Sequence, residues 1–410
     1  MAATKPSVLL IVTQDTKEVE GRFLRDCLEA AGCAVVHLDP SVRRTLGGAQ
    51  IGPEEVAAAA GMPLEEIRAI GHEGKIQEVM ILGSVRCALD AHRRQPLSGI
   101  LAIGGSMGTT LSTAVMREFP YGLPKLMIST MASGFTRPFV GTRDILMLNS
   151  VCDIAGLNTI TREVFRNGAI AIAAMAREYK AVGAEGRPLV MMSTLSTTDK
   201  CSVRVREGLT SRGYEVMVFH TLGSGGMTLD DIVREREVAA VVDLSLVEIN
   251  DFLQGGLCSA GPERAKAALQ KGVPTVFAPG NIDFMVAGPI EQARLQFPGK
   301  RYHMHNAALT AVRAEAPELC ALADHMAGLI RDARGPVTFF VPLRGFSAHD
   351  SEEGHLHDPS LPPVFAARLE QVMPAGVPVI PLDCHINDEV FADAVIERVL
   401  ALSPALRRAV

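Results

Sequence analysis

Short apolar runs recur along the chain, each closed by glycine or hydroxyl residues and followed by a stretch with helical spacing. Val8 to Val12 leads into Thr13, Asp15, Thr16 and Lys17, and Ile100 to Ile103 leads into Gly104, Gly105, Ser106, Gly108, Thr109 and Thr110. Lys125 to Thr130 runs into Ser133 and Gly134. The rhythm returns at Leu189 to Thr194, Val216 to His220, Thr275 to Ala278 and Val379 to Leu382. Short β-branched runs alternating with helical patterns of roughly 10–15 residues predict parallel strands joined by crossover helices. The expected fold class is α/β, with two Rossmann-like domains, each a mainly parallel sheet flanked by helices.

The two halves repeat one another. A strand, an Asp-Thr-Lys or Thr-Asp-Lys turn, a helix, a glycine and a second strand ending in histidine follow in the same order after Val8 and after Leu189, and Lys17 to His37 and Lys200 to His220 are both 20 residues apart. Gly122-Leu123-Pro124, Gly272-Val273-Pro274 and Gly376-Val377-Pro378 open further strands. We therefore expect domains over 1–184 and 185–410, with the junction at 181–186 just before Pro188. A chain of 410 residues has room for two cores.

Composition narrows the function. Hydrophobic residues make up 48% and charged residues 21%, which specifies a folded globular chain. A net charge of -6, with no basic stripe beside an aromatic platform, argues against nucleic acid as a partner. The eight cysteines form no C-x-x-C pair and suit a reducing compartment. No apolar stretch reaches about 18 residues and no basic-then-apolar leader opens the chain, so a cytoplasmic location and no membrane partner are expected.

In doubly wound sheets ligands sit beyond the carboxyl ends of the strands, so the loops named above are the places for chemistry. Gly104-Gly105-Ser106-Met107-Gly108-Thr109-Thr110 joins a strand to a helix-compatible segment from Leu111 to Phe119. Free amides at a helix start, glycines that admit a phosphate and three hydroxyls point to an anion site, and Lys17 can add a point charge. The same residues spell G-x-S-x-G, the serine nucleophile elbow, and a plain glycine turn is a third reading. Neither G-x-x-x-x-G-K-[ST] nor G-x-G-x-x-G occurs, and no His-Gly-Gly segment precedes Ser106. Phosphate binding by Thr13, Asp15, Thr16, Lys17, Gly104 to Thr110 and Ser129, Thr130, Ser133 and Gly134 is the leading expectation.

In the second half, Gly223, Ser224, Gly225 and Gly226 follow a strand that ends in His220 and suggest a second polar subsite with Asn281, Asp283, Asn306 and Asp383. His220, Glu248, His305 and His385 are the candidate acids and bases, although a strand-end histidine is as often structural. His303 and His305 share a face if extended, and Asp383-Cys384-His385 follows a strand, but no strong zinc spacing appears and the metal is left open. His349, His355 and His357 fall in the acidic, proline-bordered segment 347–363, which reads as an exposed loop.

Gly104 to Thr109, Gly122 to Gly134, Val140 to Ile145, Asp153 to Asn158, Gly256 to Pro262 and Asp383 to Asp388 together resemble the Tm-1-like ATP-binding family, also called UPF0261. The resemblance spans nearly the whole chain. It implies a two-domain α/β homodimer that binds ATP, with nucleotide contacts at Thr13, Asp15, Thr16, 104–110 and 129–134; magnesium is expected only as an ion carried by the nucleotide. The chain departs from the family pattern at Met107, at Phe135-Thr136-Arg137 and at Val286-Ala287, which puts the second substrate in question. The expected activity is that of an enzyme acting on a small carboxylate or carbonyl metabolite in a cleft between the domains, or else of a nucleotide-dependent regulator without turnover. Hydrolysis through Ser106 is the third alternative.

Overall fold

The computed structural model describes residues 5–181 and 186–403. It divides into two compact units, 1–183 and 184–410, and the expected junction falls mostly outside the described residues. In the first unit β1 (Ser7–Ile11), β2 (Ala34–Leu38), β3 (Gly99–Gly104), β4 (Lys125–Ser129) and β5 (Leu146–Asn149) form one sheet in the order β2-β1-β3-β4-β5. Every pairing in it is parallel.

Alternation along β1 explains why this sheet is covered on both faces. Val8, Leu10 and Val12 enter one core with Leu24 and Leu28 of the helix Gln14–Ala30 and Phe165 and Ile172 of the helix Thr159–Glu178. Leu9 and Ile11 enter the opposite core with Met80 of the helix Glu73–Arg94 and Val115 of the helix Ser106–Arg117. A strand buried on both faces reads as a continuous apolar run, which is how β1 and β3 read.

In the second unit β6 (Leu189–Thr194), β7 (Glu215–His220), β8 (Ala240–Ser245), β9 (Thr275–Gly280), β13 (Val337–Pro342) and β14 (Val379–Leu382) form a parallel sheet in the order β7-β6-β8-β9-β13-β14. A separate antiparallel sheet, β10 (Phe284–Ala287), β12 (Thr310–Arg313) and β11 (Tyr302–Met304), is inserted between β9 and β13. The parallel sheet is again covered twice: Phe277 and Phe339 face one core and Val276 and Phe340 the other. The sequence repeat is thus a repeat of topology, since both sheets open with the second strand outside the first and the third on its other side. The strand order reverses between β1 and β3 and again between β6 and β8, the two places where a doubly wound sheet opens a crevice.

Among the described residues no helix is long and apolar enough to cross a membrane, and none of the eight cysteines is bridged.

Candidate ligand sites at the two strand-order reversals

At the first reversal the loops after β1, β2 and β3 enclose a cleft of about 480 Å³. Gly104, Gly105, Ser106 and Gly108 line one side and Thr13, Asp15, Thr16 and Lys17 the other. The helix expected from Leu111 starts at Ser106, so Ser106 to Thr110 form its first turn. Its first internal bond runs from the Thr109 amide to the Gly105 carbonyl at 2.8 Å, and no side chain of the described residues caps it. The amides of the preceding residues therefore face the cleft without an intrahelical acceptor.

Gly104 is required by close approach. A Cβ there would lie 2.8 Å from the Gly108 Cα, and backbone cannot give way as a flexible side chain can. Gly105 is different: a Cβ would find only Thr130 Oγ1 at 3.8 Å, so its surroundings are open.

Asp15 stands at the cleft but is not free. Its Oδ2 accepts from the amides of Val42 and Arg43 at 3.2 and 3.0 Å, and its own amide donates to Ser41 Oγ at 3.0 Å. The 40–43 segment thereby folds over the cleft and adds Ser41, Val42 and Arg43 to its lining. Glu73, Ile76, Gln77 and Met80 of the helix Glu73–Arg94 close the remaining wall, and Gln77 Nε2 donates to the Met107 carbonyl at 2.8 Å. Neither set follows from the glycine motif, although 40–43 does follow a strand and the loop rule reaches it.

Several expected ligand donors are turned inward. Thr109 is fully buried, with Oγ1 2.6 Å from Ser129 Oγ, and Ser129 Oγ also accepts from the Met131 amide at 2.9 Å. These hydroxyls tie the first turn of the helix Ser106–Arg117 to the end of β4. Thr110 Oγ1 donates back to the Ser106 carbonyl at 3.0 Å. Thr130, Ser133 and Gly134 are not among the residues lining the cleft. No histidine lines it either, so Ser106 has no base in the arrangement a nucleophile elbow needs.

At the second reversal the glycine loop is filled from within. Glu248 is fully buried and its Oε1 accepts from the amides of Gly223 and Gly226 at 2.7 and 3.0 Å, at the start of the helix Ser224–Glu235. Its other oxygen accepts from Arg264 Nε at 2.8 Å, while the rest of that guanidinium binds Asp243 in bidentate fashion, both bonds at 2.8 Å. A Cβ on Gly226 would collide with Glu248 Oε2 at 1.9 Å, and one on Gly225 with the His220 carbonyl at 1.9 Å. Gly225 and Gly226 thus serve packing around an internal carboxylate, and Glu248 is a structural residue where a catalytic one was expected. A carboxylate at a helix start satisfies the same amides a phosphate would.

Five other expected site residues have partners within the fold. His385 Nδ1 accepts from the Asn387 amide at 3.1 Å, so Nε2 carries the proton and donates to the Ser347 carbonyl at 2.9 Å; both nitrogens are engaged. Asp383 is exposed and forms a bidentate pair with Arg344 at 2.8 and 2.9 Å. Asn306 Oδ1 accepts from the amides of Ala308 and Leu309 within the turn between β11 and β12. Asp283 is buried, accepts from Ser347 Oγ at 2.7 Å and lies 3.9 Å from Arg313; burial, then the Asp350 charge, push it up to about 7. Asn281 is buried and its side-chain amide donates to Thr197 Oγ1.

His220 and His305 do meet. With His349 they line a pocket of about 160 Å³ among Leu195, Thr197, Phe284 and Thr310. The segment 347–363 is not a solvated loop: Asp350 is held by Arg313 at 2.9 Å and Leu356 is fully buried. His349 consequently packs 4.5 Å from His303, which stacks on His355 at 4.8 Å. Among the described residues no group of three or more His, Cys, Asp or Glu is placed to hold a metal.

Comparison with known proteins follows the same two units. The N-terminal domain of the uncharacterised protein family UPF0261 matches residues 6–181 and its C-terminal domain matches 187–403. The chain belongs to the UPF0261 family. A UPF0261 protein of Clostridium tetani (strain Massachusetts / E88) is 34% identical over 402 residues, covering 96% of this chain and 98% of that protein. One from Mesorhizobium japonicum is 33% identical, covering 95% and 97%. The ToMV resistance protein Tm-1(GCR237) of Solanum lycopersicum is 29% identical over 99% of this chain, which spans 57% of that protein's length. Among solved structures, a spinosyn rhamnosyltransferase complexed with thymidine diphosphate aligns over 98% of this chain and 99% of its own at 13% identity with a TM-score of 0.20, too low to carry an argument.

Proposed function

We propose that the first unit of this UPF0261 protein binds a phosphorylated small molecule, a nucleotide foremost, in the cleft between the loops after β1 and β3. The observation that carries the reading is the uncapped start of the helix Ser106–Arg117, open on a cleft of about 480 Å³. That volume lies within the range of small-molecule sites, roughly 300–1,000 Å³. The corresponding helix start in the second unit holds an internal carboxylate, whereas here the amides await an external anion. In this reading the amides of Ser106 to Gly108 and the Ser106 hydroxyl hold phosphate oxygens, and Lys17 and Arg43 balance their charge. Val42, Ile76, Met80 and Leu111 supply an apolar wall for a base. The donor set fits phosphate, and ATP would bring its magnesium with it.

Thermal melting of the full chain at pH 7.5 with ATP, ADP, AMP and adenosine, each with and without magnesium, tests this. A ligand that binds only the folded state at a hundred times its Kd stabilises by about 2.7 kcal/mol. ATP or ADP should raise the melting temperature, adenosine should do so far less, and Lys17→Ala should reduce the shift. A protein unmoved by every nucleotide, or moved equally by adenosine, rules the reading out.

A further inference from the structure

We propose that the second unit carries a ligand site of its own, the histidine-lined pocket formed by the loop after β6, the end of β7 and the β10-β12-β11 sheet, and that it takes a small organic acid or carbonyl compound with an apolar body. The inference goes beyond the nucleotide reading and does not rest on it.

Size comes first. A pocket of about 160 Å³ has room for about five water-sized groups, the scale of a short branched acid. Its walls are mostly aliphatic and aromatic, with Leu195, Leu222, Phe284, Val286 and Ala311 facing it.

The polar groups among these walls can all donate, and none carries a negative charge. Thr310 is fully buried, lines the pocket, and its Oγ1 has no hydrogen-bond partner. A buried hydroxyl left unpaired is costly, and such a group is satisfied by an ordered water or by a ligand. Thr197 Oγ1 already accepts from Asn281, which leaves its proton to donate into the pocket. The imidazoles of His220, His305 and His349 add ring N–H groups, and no carboxylate lines the space. Convergent donors without an acid match a carboxylate or carbonyl oxygen and offer an ammonium group no counter-charge.

The His349 imidazole is also fixed in place. His349 is packed by His303 at 4.5 Å and by the edge of Phe284 at 5.6 Å. Burial, then the neighbouring imidazoles of His303, His305 and His355, hold His349 down to about 4, so it is neutral at physiological pH. Its contribution is a hydrogen bond, and it leaves the pocket apolar enough for a hydrocarbon body.

The test uses the full chain at pH 7.5 with isobutyrate and 2-oxoisovalerate as probes and isobutylamine as their cationic isostere, read by saturation-transfer NMR and by calorimetry. At least one acid should show saturation transfer and measurable binding, and the amine should show neither. Thr310→Val keeps the shape and removes the hydroxyl; it should weaken the acid about tenfold, the loss that one unmade hydrogen bond brings. Ala311→Leu fills the space and should abolish binding. His305→Ala alters an exposed position that folding does not need and should weaken binding several-fold, so the question stays answerable if a core variant misfolds. The proposal is overturned by silence from both acids, by equal transfer from the amine, or by an acid affinity unchanged in every folded variant. An ATP titration of the same samples separates the two sites, because failure here leaves any nucleotide-induced melting shift intact.

Discussion

Gly105→Asp should raise the stability of the free protein while removing its affinity for nucleotide. Gly105 is the N-cap of the helix Ser106–Arg117, with φ -79° and ψ -159°, an extended conformation open to any residue. A Cβ at this position meets nothing closer than Thr130 Oγ1 at 3.8 Å. An aspartate there can fold over the amides of Met107 and Gly108 and do for this helix what Glu248 does for the helix Ser224–Glu235. Glycine to a good N-cap residue is worth a few tenths of a kcal/mol, a carboxylate beside the helix start about 0.3–1, and the lost freedom of the unfolded chain about 0.4–1. A net gain of about 1 kcal/mol corresponds to a rise of about 2–4 °C in a unit of this size.

The effect on the ligand has the opposite sign. Like unit charges about 4 Å apart at an effective dielectric near 20 repel by about 4 kcal/mol, about a thousandfold in Kd. Gly105→Asn separates the two causes, because it caps the same amides without the charge and should lose far less affinity. The assay is a melting curve and an ATP titration on the parent and both variants. A Gly105→Asp protein that melts higher yet still shows the full ATP-induced shift would refute the reasoning, since the phosphate could not then rest on these amides.

Thr109→Val should cost about 1 kcal/mol in urea unfolding, through its bond to Ser129, and leave the ATP shift in place; a lost shift would return Thr109 to the binding surface. Burial, reinforced by the Arg25 charge, pushes His37 down to about 4. Because its folded value lies below the unfolded 6.5, the stability it contributes is present above pH 6.5 and lost as the pH falls toward 4, about 3 kcal/mol across that window. His37→Leu should remove that loss, and an unchanged pH profile of urea unfolding would contradict it. Glu248→Ala strands two buried amides and the Arg264 Nε and should cost about 2–5 kcal/mol. Added acetate should restore part of its melting temperature and leave the parent unmoved; no response to acetate would argue that the deleted carboxylate leaves no usable cavity.

Much of the architecture was legible because strands buried on both faces write continuous apolar runs, as Leu189 to Thr194 does, and because loops after them hold ligands in this class of sheet. That logic brought Thr13, Asp15, Thr16 and Lys17 and Gly104 to Gly108 to one cleft. The helix start was misplaced by five residues, from Ser106 to Leu111, because serine, threonine and glycine favour turns in isolation and only the crossover from β3 decides the matter. The roles of Glu248 and His385 were hidden for a different reason. An acid or an imidazole after a strand looks the same in sequence whether it faces a ligand or an interior partner, and the partners of Glu248 lie on Gly223, Gly226 and Arg264. The segment 347–363 carries an exposed composition, yet Arg313, far away in sequence and fully buried, draws Asp350 inward and brings His349 with it.

The two strand-order reversals of this chain solve one electrostatic problem in two ways. A helix that begins behind a glycine turn presents several amides with no intrahelical acceptor, and a fold can leave them for a ligand or supply an anion of its own. The second unit supplies Glu248, and the cost of burying that carboxylate is offset by Arg264, itself neutralised by Asp243, so that a three-residue ionic cluster replaces a binding site. Its remaining pocket lies to one side, apolar and lined by imidazoles. Among the described residues of the first unit no acid caps the helix at Ser106: the carboxylate of the β1 loop, Asp15, is already engaged with the amides of Val42 and Arg43. Occupying Asp15 in this way keeps it from capping the helix at Ser106 and fixes the 40–43 segment as a wall of the cleft. In the proposed reading, what separates a binding loop from a structural one is therefore the whereabouts of the nearest acid and of the arginine that would stabilise it, and the glycine pattern is common to both.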